Sequence, residues 1–60
     1  MKITEEQVRT IDMNNMKAKN ITDALVNDVA SGDPALDIVA MLDAINDYLE
    51  ANNKIFNAVL

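Results

Sequence analysis

The stretch Ser31-Gly32-Asp33-Pro34 decides the fold, because it contains the chain's only Gly and its only Pro. A Gly can take the left-handed conformation that ends a helix. An Asp followed by a Pro suits the N-cap and the first position of the next helix. The stretch therefore predicts one turn over residues 31–33 between two helical arms, a first helix over residues 5–30 and a second over residues 34–58.

The first arm opens with a helix start signal. Thr4 and Gln7 have the spacing of a capping box, in which each side chain bonds to the backbone N–H of the other residue. Ile3 and Val8 occupy the two positions of a hydrophobic staple. These residues predict that the helix begins at residue 5.

Both arms carry residues at heptad spacing, which predicts helices that pack along a seam. The seam of the second arm is Ile38, Leu42, Ile45, Leu49, Asn52, Phe56 and Val59. The seam of the first arm is Val8, Ile11, Asn15, Ala18, Thr22, Leu25 and Val29. The first arm has little apolar content over residues 12–20, so three helices with a break near residues 14–21 are the alternative.

A short turn makes two helices antiparallel neighbours. Pairing the two seams places the fold-back point between residues 33 and 34, and it sets Asn15 opposite Asn52. A buried polar layer of this kind fixes the register of packed helices at a cost in stability. We therefore predict Asn15 and Asn52 as a register layer, with solvent-exposed Asn side chains at a frayed end of the bundle as the alternative.

The composition argues against catalysis. The 60-residue chain has neither Cys nor His, which excludes disulfides, thiolate or imidazole metal sites and His-based catalysis. Its only Ser, Ser31, has no His to activate it. Asp43, Asp47 and Glu50 share one helical face, a pattern typical of a solvated acidic surface. We expect a protein that is not an enzyme and has no catalytic residues, metal or cofactor.

A lone hairpin should leave apolar surface uncovered. Chains this short seldom stabilise a single core without disulfides, metal or oligomerisation, and both arms carry apolar residues beyond their seams. We therefore expect the hairpin to dimerise into a four-helix bundle. The residues expected at the interface are Leu36, Val39, Met41, Tyr48, Ile55, Met13 and Met16.

Charge and hydropathy restrict the choice of partners. The formal net charge is −5, and the few basic residues are scattered, so we expect no nucleic-acid binding. No apolar stretch approaches the ~20 residues that cross a bilayer, so we expect no membrane association. The absence of Cys fits a reducing cytoplasm. The expected partner is a second copy of the chain, with another protein as a further possibility.

The leading interpretation is a small acidic, non-enzymatic helical protein that works by self-association and protein–protein interaction, as a regulatory or accessory module. One alternative is an acidic inhibitor that mimics nucleic acid. Its carboxylates in place of phosphates would be Asp37, Asp43, Asp47, Glu50, Asp23 and Asp28.

A second alternative is a subunit of a helical filament. The apolar terminus over residues 55–60 could dock on a different surface of the next copy. The turn Gly32-Asp33-Pro34-Ala35-Leu36, followed by an amphipathic helix with Tyr48, resembles the turn and second helix of type III secretion needle subunits. This resemblance covers less than half of the chain, and it implies assembly into a polymer.

Overall fold

The computed structural model describes residues 2–60 and contains two helices, α1 (Glu5–Ala30) and α2 (Ile38–Val59). The helices pack against each other in antiparallel orientation, and the described residues form no strand. The predicted all-α helical hairpin is thereby confirmed. α1 runs through residues 14–21 without interruption, so the three-helix alternative is wrong.

The capping box at the start of α1 is present as predicted. The Gln7 N–H donates to Thr4 Oγ1 at 3.0 Å, and the Thr4 N–H donates to Gln7 Oε1 at 2.9 Å. Further along, the polar middle of α1 stays helical because Asn14 and Asn15 bond to a side chain of α2. Tertiary contacts of this kind supply stability that local helix propensity does not.

The connection between the helices differs from the prediction. Pro34 does not begin the second helix and Asp33 does not cap it; α2 begins at Ile38, and Asp37 is its N-cap. The Asp37 side chain accepts a hydrogen bond from the Ala40 N–H at 3.1 Å.

The reason for the later start lies in the last turn of α1. The Asp28 carboxylate accepts hydrogen bonds from the N–H groups of Ala35 and Leu36, at 3.0 and 3.1 Å. In a helix starting at Pro34, these N–H groups would belong to the first turn, where they lack intrahelical partners. Asp28 satisfies them across the turn instead, and Gly32 makes the reversal with φ at +79°.

The hairpin is only one helix thick. Its extents are 48 × 17 × 11 Å, and a single helix with side chains is about 10–12 Å across. Among the described residues only Ala18, 6% exposed, and Asn52, 4% exposed, are buried. A domain normally buries its core between two packed layers, and this chain supplies only one.

The two helices are rotated relative to the predicted pairing of seams. The heptad positions turned towards the contact on α1 are Ile11, Asn14, Ala18, Ile21 and Leu25, all buried or half-buried. The heptad positions of α2 that face α1 are Met41, Ile45, Tyr48, Asn52 and Ile55, and these are also buried or half-buried. Met41, Tyr48 and Ile55, which we expected at an interface with a second copy, lie half-buried on the side of α2 that faces α1. Their contact with a second copy stays a prediction.

The position of the N-cap is open to a direct test. We expect Asp37→Ala to lower the free energy of unfolding by about 1 kcal/mol, since the mutant loses the side chain that bonds to the Ala40 N–H. Asp33→Ala is the matched control and should change it by less than about 0.5 kcal/mol. Urea unfolding followed by circular dichroism at one fixed protein concentration measures both. A larger loss in Asp33→Ala would show that α2 starts at Pro34.

Candidate functional site

A side-chain amide is buried at the centre of the contact between the helices. Asn52 Oδ1 accepts a hydrogen bond from Asn14 Nδ2 at 2.9 Å. Asn52 Nδ2 donates to Asn15 Oδ1 at 2.9 Å and to the backbone carbonyl of Ile11 at 3.3 Å. The Asn52 side chain thus bonds to three residues of α1 over little more than one helical turn.

These bonds fit the energetics of buried amides. A buried polar group without a partner costs about 1–3 kcal/mol, and the described residues contain no buried side-chain nitrogen or oxygen that lacks one. The structure brings Asn15 and Asn52 into hydrogen-bond contact, as predicted from pairing the two heptad seams. Sequence reasoning missed Asn14 as the third member, although the pair Asn14-Asn15 was a visible signal that two adjacent amides could both reach α2.

A second polar contact lies near the Asn52 cluster. Lys17 Nζ lies 5.7 Å from the centroid of the Tyr48 ring, within range of a cation–π interaction. Tyr48 was predicted to face a second copy of the chain. Because Lys17 of the same chain lies over its ring, Tyr48 takes part in the contact within the hairpin.

The rotation of the helices leaves a different apolar surface uncovered, which we call the open face. On α2, Leu42, Leu49 and Phe56 follow one another at intervals of seven residues, and Ile38 lies one turn before Leu42. All four side chains are at least 40% exposed. On α1 the open face consists of four exposed residues spaced by seven, namely Val8, Asn15, Thr22 and Val29.

The two halves of the open face meet at a shallow groove. Asn15 of α1 lines the groove together with Leu49 and Phe56 of α2, and its volume is about 410 Å³. Asn46, Glu50, Asn52 and Asn53 of α2 complete its lining. Because one groove contains residues of both helices, both heptad stripes lie on the same side of the hairpin.

The groove offers little chemistry for a reaction. Its polar lining consists of Asn amides and a single carboxylate, Glu50. The described residues also contain no group of three or more His, Cys, Asp or Glu side chains that could hold a metal ion. The arrangement is suited to contact with a complementary surface, through apolar side chains flanked by amide donors and acceptors.

The remaining residues of the predicted interface lie outside the two heptad stripes of the open face. Val39 is 68% exposed. It precedes Met41 by two residues, about 200° around the helix, which places it on the side of α2 away from α1 and one turn before Leu42. On α1, Met16 precedes the buried Ala18 by two residues and lies on the side of the helix away from α2. Met13 and Met16 are both exposed. The structure does not bring these residues together. Leu36 lies exposed in the connection, and any role for this set in association stays a prediction.

Comparison of the chain with known protein families, curated proteins and solved structures gave no match. The resemblance of the turn to type III secretion needle subunits therefore has no support from these comparisons. Neither helix of the described residues has the length and apolar character needed to cross a membrane.

The Asn52 cluster gives a clear prediction for stability. We expect Asn52→Ala to lower the free energy of unfolding by about 2 kcal/mol, because Asn14 and Asn15 lose their partner and a cavity replaces the amide.

Asn57 of the same helix is exposed and is not among the groove-lining residues, so Asn57→Ala is the matched control, expected to change stability by less than about 0.5 kcal/mol. Urea unfolding at equal protein concentration measures both variants. Equal effects of the two substitutions would show that the hydrogen bonds of Asn52 do not hold the helices together.

Proposed function

We propose that this chain is a non-enzymatic helical interaction module that acts through self-association, and that a second copy covers its open face. The proposal places it among regulatory or accessory proteins, which work by contact with themselves or with another protein. The single observation that carries the proposal is an exposed row of large apolar side chains, Leu42, Leu49 and Phe56, on a hairpin with no second layer.

The accessible surface supports association quantitatively. The chain exposes 4622 Å², whereas a folded monomer of its mass, 6.6 kDa, is expected to expose roughly 3,900 Å². The excess of about 700 Å² is close to the ~800 Å² that each partner contributes to a standard protein interface. A second copy stacked on the open face would bring the exposed surface per chain near the value for a compact protein.

The charge distribution supports the same choice of surface. The chain has a net charge of −5, yet none of the eight residues of the open face is charged. Apart from Glu50, which lines the groove beside Leu49, two copies can therefore approach along this face with few like charges in contact. The acidic residues of α2, such as Asp43 and Asp47, lie at other positions around the helix, where they stay in water.

Concentration dependence tests self-association. We expect the melting temperature, followed by circular dichroism, to rise with protein concentration, because association stabilises only the folded chain. Leu49→Asp should abolish this dependence and lower the melting temperature, since it places a carboxylate in the middle of the open face. Ala40→Asp is the matched control, because Ala40 is exposed and lies nine residues before Leu49, about 180° around α2. It should leave the dependence intact. A melting temperature independent of concentration in the unmodified chain would contradict the proposal.

Salt distinguishes the proposal from mimicry of nucleic acid. Apolar association should be nearly unchanged between about 0.05 and 0.5 M NaCl, since screening acts on charges. A mimic would instead remain monomeric and bind a basic probe such as polylysine with an affinity that falls steeply over the same range. Sedimentation velocity in both salts, with and without polylysine, separates the two outcomes. Species much larger than a dimer would favour the filament alternative.

A further inference from the structure

We propose that two hairpins stack face to face about a two-fold axis perpendicular to their helices, so that their loops lie at opposite ends of a four-helix bundle. The axis passes at the level of Ala18 and Leu49. The inference rests on the proposed self-association and goes beyond it by assigning the partner for seven of the eight residues of the open face, all but Ile38.

The first observation is the order of residues along each helix. On α1 the open face reads Val8, Asn15, Thr22, Val29, which is apolar, polar, polar and apolar in either direction. On α2 the open face has Leu42 and Phe56 at equal distances on either side of Leu49, and Ile38 lies at the start of the helix outside this symmetric part. An interface across a two-fold axis must be complementary to itself. A pattern that is the same in both directions along a helix meets this requirement for antiparallel stacking of like helices.

The second observation is that the two patterns share a centre. The midpoint of the α1 pattern lies between residues 18 and 19, and that of the α2 pattern lies at Leu49. Asn15 bonds to Asn52, and Lys17 lies over Tyr48, so residues whose numbers sum to about 65–67 are level with each other in the hairpin. Ala18 and Leu49 are therefore level. A single two-fold axis can therefore pass through the midpoints of both patterns. The spacing within one helix alone does not require the two midpoints to be level.

The third observation concerns unused hydrogen-bonding capacity. Asn15 Oδ1 accepts from Asn52, which leaves the two amide hydrogens of Asn15 for a partner outside the Asn52 cluster. Thr22 Oγ1 donates to the Ala18 carbonyl at 2.8 Å, which leaves its lone pairs free to accept. The proposed axis sets Asn15 opposite Thr22 of the partner subunit. The symmetry makes this donor–acceptor pair twice, once on either side of the axis.

The apolar contacts follow from the same axis. Leu49 meets the partner's Leu49 at the centre, and Leu42 meets Phe56 of the partner subunit. At the ends of α1, Val8 meets the partner's Val29. Each large side chain left exposed at the centre of the hairpin thus faces another apolar side chain, with the two amide–hydroxyl pairs between them.

Single cysteines test this geometry, because the natural chain contains none. In Leu49→Cys the two thiols lie beside the axis, so mild oxidation should join the copies. In Leu42→Cys the thiols lie seven residues from the axis, about 20 Å apart in the dimer, far beyond the ~7 Å Cα separation that a disulfide bridges. We expect oxidation to cross-link Leu49→Cys at least about tenfold faster. An equimolar mixture of Leu42→Cys and Phe56→Cys should yield mainly the mixed disulfide, identified by intact mass.

Sedimentation equilibrium of the reduced variants accompanies the cross-linking. If the variants are dimeric but Leu42→Cys cross-links as fast as Leu49→Cys, the axis runs along the helices and the loops lie at the same end. That result overturns this inference and leaves self-association standing. Monomers that form no specific disulfide would overturn both. Larger species in the reduced samples would show open assembly and would also overturn the two-fold dimer.

Discussion

The hairpin is organised around the buried amide of Asn52. An Asn in an apolar contact has few stable environments, because its donors and its acceptor must all be matched within the protein. α1 matches them with the side chains of Asn14 and Asn15 and the carbonyl of Ile11. Sliding or rotating either helix would separate these groups, so the amide constrains both the register and the rotation of the pair.

The position of the apolar surface follows from this rotation. With Asn52 turned towards α1, Tyr48 and Ile55 turn with it and become half-buried. Leu42, Leu49 and Phe56 lie further around the same helix and remain uncovered. A hairpin one helix thick has nothing with which to cover them, and in our proposal a second copy supplies the covering layer. In this account, the hydrogen bonds of Asn52 set the rotation of α2, and that rotation leaves exposed the apolar surface through which we propose that the chain self-associates.

The sequence predicted the features that depend on neighbours along the chain. The capping box at Thr4 and the reversal at Gly32 both appeared as expected, because each is decided by side chains within a few residues. The start of α2 was misjudged since Asp33 and Asp37 are equally good caps locally. The choice between them depends on Asp28, which reaches the connection only after the chain has folded back.

The rotation of the helices could not be read from periodicity, for a related reason. α2 carries two apolar stripes at heptad spacing, one through Leu42 and Leu49 and one through Met41 and Tyr48. Both stripes are apolar, so hydrophobic pattern alone does not select between them. The hydrogen bonds of Asn52 favour the observed rotation, because they involve both Asn14 and Asn15 together with the Ile11 carbonyl. These bonds form only in the folded hairpin, so periodicity does not reveal them.

The central claim is that α2 packs against its own α1 through the Tyr48 stripe and against a second copy through the Leu49 stripe. An isotope-filtered NOE experiment on an equimolar mixture of labelled and unlabelled chains tests both halves at once. We expect intermolecular NOEs from the methyl groups of Leu42 and Leu49 and the ring of Phe56, with only intramolecular NOEs from Tyr48 and Ile55. Intermolecular NOEs confined to Tyr48 and Ile55, or none from any residue at millimolar concentration, would contradict the claim.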